Sequence, residues 1–325
     1  MIQEIFEHVG SGGVIGSDDA MKLARDYSWE ELAPYSEKLT RQIHGNRISI
    51  CTILNAKSGA CDMNCSFCSQ SSVSKAGTDV YPLVPNEKIQ TAFGYAEECE
   101  AECCGLVTSG GRLNDKDVSL IGQAILEHKG KGGVNVCGSF GRLNRTSMSY
   151  LKECGLTRVH HNLETSRDYY PNICTTQSWD ARLDTVKEAL EMGFDVCCGG
   201  LFGIGESWRD RVDLALTLRK LEIRSVPMNF LVPYAGTHFE GRDFLSPDEA
   251  LKIISIFRFL LPEATIRVCG GRMLIPAERQ ADVFRAGATG IMTGHYLTID
   301  GFSPREDLDR IQKLGLQTKT ELAGV

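Results

Sequence analysis

Short apolar runs alternate with helix-patterned stretches along most of this chain. The runs are Ile48–Leu54, Cys104–Thr108, Val134–Gly138, Arg158–Leu163, Asp195–Phe202, Ser225–Val232, Thr265–Cys269 and Gly290–Thr293. Between them lie stretches with apolar residues at helical spacing. One is Trp179–Gly193, which ends on a glycine suited to a helix C-cap, and another is Asp248–Leu260, stopped by Pro262. Strand runs separated by helices are the mark of βαβ units and a parallel sheet. Eight of them predict an α/β fold, a (β/α)8 TIM barrel over residues 46–300, with active-site residues at the carboxyl ends of the strands. Residues 1–45 read as a polar helical extension in which Ser17 caps an amphipathic segment. Residues 301–325 read as a polar, peripheral tail on or near the barrel.

Size and composition agree with that frame. The chain has 325 residues, enough for one barrel of about 250 with extensions. Its 42% hydrophobic content supports a full core. A net charge of -7 and the lack of a basic run argue against a nucleic-acid surface and for a small-molecule substrate. The acidic start Met1-Ile-Gln-Glu-Ile-Phe-Glu7 is not a secretory signal, and no run of about 18 apolar residues is present to span a membrane. A cytoplasmic protein is expected. Thirteen cysteines are too sparse for a disulfide scaffold, and thiols in a reducing compartment serve metals or redox chemistry.

Three of those cysteines stand together. Ser58-Gly-Ala-Cys-Asp-Met-Asn-Cys-Ser-Phe-Cys-Ser-Gln70 sets Cys61, Cys65 and Cys68 in a C-x3-C-x2-C array just after the first strand run. A zinc knuckle would need a further pair or histidines downstream, and the next cysteine along the chain is Cys99. Thiolates hold iron-sulfur clusters, and three ligands on a four-iron cube leave one iron open to bind and transform something. The loop, with Phe67 as its aromatic, resembles the signature of radical S-adenosylmethionine (radical SAM) enzymes. That resemblance implies a 4Fe-4S cluster on Cys61, Cys65 and Cys68 whose open iron chelates SAM. Reductive cleavage of SAM then yields a 5'-deoxyadenosyl radical.

A second set of thiols is spread over the strands. Cys51, Cys137, Cys197 and Cys269 fall on the first, third, fifth and seventh runs, and interior layers of such barrels take one side chain from each alternate strand. They can form one thiolate layer, or pack singly as small hydrophobes. Arg267 lies on the same face as Cys269 by strand alternation, and a buried guanidinium needs an anionic partner. Cys198 points the other way and packs; Cys99, Cys103, Cys104, Cys154 and Cys174 read as helix, edge or loop residues without a role.

Several blocks together resemble the biotin synthases over roughly residues 45–315. They are Ser58–Cys61 with Cys68–Ser72, His161–Ser166, Thr175–Thr176 with Arg182–Thr185, Val196–Gly200 with Gly203–Glu206, Pro227–Leu231, and Arg267–Arg272. The resemblance implies sulfur insertion into dethiobiotin, with two SAM cleaved per product and the sulfur drawn from an auxiliary cluster deep in the barrel. By position Cys137, Cys197 and Arg267 match ligands of that cluster, which in familiar members is a 2Fe-2S cluster held by three Cys and one Arg. The third family cysteine is Val107 here, while Cys51 and Cys269 are additions, so a four-iron auxiliary cluster on Cys51, Cys137, Cys197 and Cys269 is expected in place of 2Fe-2S.

The same resemblance places SAM against Phe67, Ser109, Gly110, Gly111, Asn162, Glu164 and Arg182, with Glu164 standing where the family has Asp. It places dethiobiotin against Asn162, Asn229 and His160, the last replacing a family Asn. Gly203 and Gly205 are expected to let adenine approach closely. An external electron donor such as flavodoxin or ferredoxin is implied, with a homodimer as an open option for assembly. The alternatives are a barrel relative of the hydrogenase-maturation type acting on another small molecule, and a non-catalytic iron-sulfur carrier.

Overall fold

The computed structural model describes residues 1–131, 133–297 and 301–318. Among the described residues, eight parallel strands close into a barrel. They are β1 (Ser49–Lys57), β2 (Cys103–Thr108), β3 (Asn135–Ser139), β4 (Arg158–His160), β5 in two segments (Asp195–Cys197 and Gly200–Phe202), β6 (Ser225–Phe230), β7 (Thr265–Val268) and β8 (Gly290–Met292). Closure runs through β1 pairing with β8, and through β6 pairing with both segments of β5 while the first segment also pairs with β4. The predicted barrel and its eight strand positions are therefore those of the structure.

Two strands differ from their runs. The fourth stops at His160, so Asn162 and Glu164 lie beyond the strand. The fifth is broken at Cys198-Gly199, where the chain comes hard against β6: a Cβ on Gly199 would stand 1.9 Å from the Pro227 carbonyl oxygen. Only glycine permits that approach. The Gly199 carbonyl accepts from the amides of both Leu163 and Glu164, and its own amide donates to Asn162 Oδ1 at 3.0 Å. The kink thus turns the end of the fourth unit inward, where alternation would have carried it straight on.

Helices cover the outside. Those starting after Asn114, Asn144, Ser178, Ser207, Ser246 and Ser303 each have the preceding side chain accepting a first-turn amide, which satisfies one of the helix's orphan donors. Their inward faces and the outward faces of the strands form one continuous apolar core. The extension forms α1 (Ile2–Gly10), α2 (Ser17–Asp26) and α3 (Trp29–His44); α1 packs on α3, α2 on the helices Trp208–Lys220 and Pro247–Leu260, and α3 on Pro247–Leu260. Ser17 is the first residue of α2 and not its cap; the cap position is Gly16, and Ser17 Oγ accepts from Arg209 instead.

The tail is not peripheral. Its helix Pro304–Lys313 buries Asp307 against Arg272, and Gln317 exchanges backbone hydrogen bonds with Asn46 and Ile48 beside the start of β1. Residues 298–300, where the expected barrel ends, and 319–325 of the expected tail lie outside the described residues. Among the described residues no helix is long and apolar enough to cross a membrane.

Candidate active site

The barrel interior holds a cavity of about 400 Å³ that runs without interruption from the three-cysteine loop at the carboxyl ends of the strands down to a set of thiols in the lumen. At its upper end stand Phe67, Cys68, Ser69 and Gln70; Asn162, Glu164, His160 and Asn229 line its middle; Cys51, Cys103, Cys137, Cys197 and Cys269 surround its lower part with Arg158 and Arg267.

The loop that carries Cys61, Cys65 and Cys68 is tied at several points. The Cys68 amide donates to the Cys65 carbonyl, the Met63 amide to Cys61 Sγ at 3.4 Å, and Gln70 Oε1 accepts from the Gly59 amide. Asn64 reaches across to the Thr175 hydroxyl and to the amides of Thr175 and Thr176. Burial pushes the Cys68 thiol up to about 11. The Cys65 thiol is in hydrogen-bond contact with Cys174, which also has Thr176 Oγ1 at 3.6 Å. Of that pair Cys174 is the more acidic, because it takes donors from Cys65, Thr176 and Tyr170, while Cys65 is raised.

Beside the loop, Asp62 Oδ1 accepts from the Gly111 amide at 2.6 Å and Ser109 Oγ donates to the Gly59 carbonyl. The Ser109-Gly110-Gly111 segment is therefore partly engaged by the loop itself. Arg182 is likewise engaged: Nη1 donates to the Asn162 carbonyl at 2.7 Å, Nε donates to Tyr170 Oη, and Glu164 Oε1 lies 3.8 Å away. Glu164 sits at φ +67 and receives a 3.4 Å hydrogen bond from Asn162 Nδ2, so the two side chains meet through the turn after β4. Burial raises the Glu164 carboxyl, against the opposing pull of Arg182 and His160.

Asn229 spends part of its amide on the frame, accepting from the Gly270 amide at 3.0 Å and donating to the Gly200 carbonyl at 3.3 Å. It keeps one amide hydrogen and one oxygen lone pair for a ligand. Gly203-Ile-Gly-Glu206 does not present an open glycine loop. The buried Glu206 carboxylate accepts from the amides of Gly203 and Ile204 and from Arg211 Nε, so the chain's own side chain occupies that nest.

In the lumen, Cys51 and Cys269 are in thiol contact, as are Cys103 and Cys137. Cys197 takes a 3.3 Å hydrogen bond from Ser225 Oγ and contacts the His160 ring. Burial alone would lower His160, but Cys197, Glu164 and Cys51 more than offset it and raise its pKa. The hydrogen bond with Cys269, with Arg267 beside it, lowers Cys51 to about 6. Arg267 is 3% exposed and donates to the hydroxyls of Ser225, at 3.0 Å, and Ser49, while its Nε has no partner among the described residues. The thiols in its electrostatic reach are Cys51, Cys197 and Cys269. A guanidinium buried among thiols is balanced when those thiols are thiolates, which is the state in which they ligate iron. Among the described residues no three His, Cys, Asp or Glu side chains gather to the spacing of a single metal ion.

The lumen layer is not confined to alternate strands. Cys103 was expected to be without a role, yet it opens β2 in register with Cys51 and faces the same lumen. Cys103, Gly105 and Val107 all line the cavity, so the thiol of β2 lies four residues, about 13 Å of strand, below Val107. Cys174, which reads in the sequence as a residue without a role, stands beside Cys65, and Arg158 at the start of β4 faces the lumen.

Residues 56–218 match the model of the radical SAM superfamily, and residues 227–317 match that of the biotin and thiamin synthesis associated domain. The chain is 40% identical to a biotin synthase of Endomicrobium trichonymphae, covering 97% of this chain and 98% of that protein. It is 44% identical to a biotin synthase of Desulfovibrio desulfuricans, covering 92% and 94%. The chain belongs to the biotin synthase family. In this family member the radical SAM match carries the three-cysteine loop and Asn162, Glu164 and Arg182, and the second match carries Asn229, Arg267 and Cys269 together with the tail as far as Gln317.

Among solved structures, methylornithine synthase superposes with a TM-score of 0.84 at 19% identity, covering 97% of each chain. The FeFe-hydrogenase maturase HydG from Carboxydothermus hydrogenoformans superposes with a TM-score of 0.82 at 18% identity, covering 99% of this chain and 80% of that one. These two share the barrel with the biotin synthase family member; at such identities the likeness concerns fold.

Proposed function

We propose that this chain inserts sulfur into dethiobiotin to form biotin, as a cytoplasmic radical SAM sulfurtransferase supplied with electrons by a flavodoxin or ferredoxin. The observation that carries the reading is the single cavity joining the three-cysteine loop to the lumen thiols, long enough for a radical-generating end and a sulfur-donating end to face one substrate. When bound, a 4Fe-4S cluster and SAM supply the electron and the 5'-deoxyadenosyl radical, and an auxiliary cluster supplies the sulfur. Everything else falls to the chain.

Cys61, Cys65 and Cys68 would hold the first cluster. Ser109, Gly110, Gly111, Asn162, Glu164 and Arg182 would orient SAM along the upper wall, with Phe67 shielding that end from water. Arg182 would exchange its Glu164 contact for the SAM carboxylate, leaving Glu164 and Asn162 for the ribose hydroxyls. The free half of the Asn229 amide, with His160 and Asn162, would fix the ureido ring, a neutral group that needs paired donors and acceptors.

Cys51, Cys137, Cys197 and Cys269, with Arg267 close by, would hold the auxiliary cluster. Cys103 in contact with Cys137 makes a five-thiol surround, which suits a four-iron cluster better than 2Fe-2S. The apolar Val107 stands where familiar members have a thiol, so the ligands are concentrated lower in the lumen. Residues 1–45 serve as an outer cover, and a homodimer is the assembly to look for.

Anaerobic reconstitution followed by incubation with dethiobiotin, SAM and reductant tests this. Biotin, 5'-deoxyadenosine and about eight irons per chain are expected, about four for each cluster. Formation of 5'-deoxyadenosine with neither biotin nor a thiolated intermediate would point to a relative acting on another molecule. About four irons per chain would remove the four-iron auxiliary site.

A further inference from the structure

Directly beneath the lumen thiols a second cavity of about 280 Å³ opens at the amino-terminal mouth of the barrel. It is built from the first residues of the strands and is strongly polar. Four guanidiniums, Arg47, Arg158, Arg224 and Arg267, line it against two carboxylates, Glu102 and Asp195. Arg47 pairs with Glu102 at 2.7 Å, Arg158 with Asp195 at 2.5 Å, and Arg224 with Glu263 at the rim. Arg47 and Arg224 are more than half exposed, so their ends reach solvent.

Arg158 and Arg267 line both cavities. They form the floor between them: Arg267 is held by the Ser225 and Ser49 hydroxyls, Ser225 reaches Cys197, and Arg158 is within electrostatic reach of Cys103, Cys137 and Cys197. With Glu263 beside Glu102 and Asp195, four guanidiniums face three carboxylates, and the one positive charge left over, on Arg267 at the floor, favours a small anion there. A mouth that touches a buried thiol set through two guanidiniums, one with an Nε unpartnered among the described residues, can pass such an anion inward.

We infer that this lower mouth is a binding and entry site for hydrosulfide, the small anion that restores the sulfur spent in each product. The inference rests on the proposed sulfur-donating role of the lumen thiols. That role requires resupply, and the upper opening of the cavity is the side on which substrate and SAM would sit. Hydrosulfide already carries sulfur at the sulfide oxidation level, so its binding and passage need neither oxidant nor reductant. Exposed Arg224 and Arg47 draw it in, and Arg158 and Arg267 hold it at the floor.

The test uses reconstituted holoenzyme whose iron content has first been measured. After one turnover the protein is incubated with 34S-sulfide, desalted and given fresh SAM and dethiobiotin. The readout is the ratio of labelled second-turn biotin to unlabelled first-turn biotin from the same sample. The native enzyme incorporates label, and the doubly substituted Arg47→Glu, Arg224→Glu protein shows a ratio tenfold or more lower, the scale on which focused charge changes local anion capture. An equal ratio in the two proteins, or no label in native product, overturns the inference.

Independently of turnover, crystals of the native holoenzyme soaked in sodium bromide should show an anomalous peak between Arg158 and Arg267, and its absence also overturns the inference. An iron content of about four per chain would instead count against the auxiliary cluster, with the bromide measurement still deciding whether the mouth binds anions.

Discussion

Asp307→Asn should unseat the carboxyl-terminal helix from the barrel. The Asp307 carboxylate is 1% exposed and takes two hydrogen bonds from Arg272, one from Thr293 Oγ1 at 2.8 Å and one from Arg310 at 2.9 Å. Arg272 is equally buried, and its other side-chain partners are Gln280 Oε1 at 3.2 Å and Tyr296. The amide keeps the shape of the carboxylate but leaves the guanidinium charge buried with neutral acceptors only. Breaking a buried pair from one side costs about 3–5 kcal/mol. At about 2 °C per kcal/mol for a chain of this size, that is a fall of about 6–10 °C in Tm. Melting is best followed on apoprotein, because clusters spoil two-state behaviour. Removing both charges with Arg272→Met and Asp307→Leu should recover much of the loss, since a buried pair replaced by apolar groups is often near neutral. A loss under about 1 kcal/mol for Asp307→Asn, or a double variant no more stable than the single one, would refute the reasoning.

Two further outcomes follow from the fold. His44 Nε2 lies 2.8 Å from Arg258 Nη1, and burial together with that charge lowers its pKa to about 4. A histidine depressed on folding takes up fewer protons folded than unfolded between about pH 6.5 and 4, so its contribution is complete above pH 6.5 and is lost as pH falls through that window. With discounting for the part of the ring left in solvent, it amounts to about 2 kcal/mol. Tm measured at pH 7.5 and 5 should therefore fall more in the native protein than in His44→Gln, and parallel falls would contradict this. Gly199→Ala should cost about 1–3 kcal/mol, because its new methyl group would overlap the Pro227 carbonyl; an unchanged apoprotein Tm would show that the kink has room to spare.

The barrel was legible because each parallel strand is a short apolar run bounded by helical stretches, a signal that survives errors of two or three residues at either end. The lumen was less so, because there a single residue matters. Beginning the second run at Cys104 left Cys103 outside it, although strand alternation puts those neighbours on opposite faces and only Cys103 enters the cavity. Reading Asp195–Phe202 as one strand missed the break, although Gly199-Gly200 lies inside it. Cys174 is remote in sequence from the loop it joins, and it is brought there by Thr175, Thr176 and Asn64. Arg158 reads as a boundary residue because a strand's first position gives no sign of whether it faces solvent or a lumen.

The capped helix starts give the molecule a kind of modularity. Asn114, Asn144, Ser178, Ser207, Ser246 and Ser303 each anchor their own helix with their own side chain. No loop over the substrate has to supply that anchor. A loop exchanged between strand end and cap can therefore change what the mouth recognises while the helix behind it starts at the same residue, which makes these loops the natural sites for grafting new specificity onto the barrel.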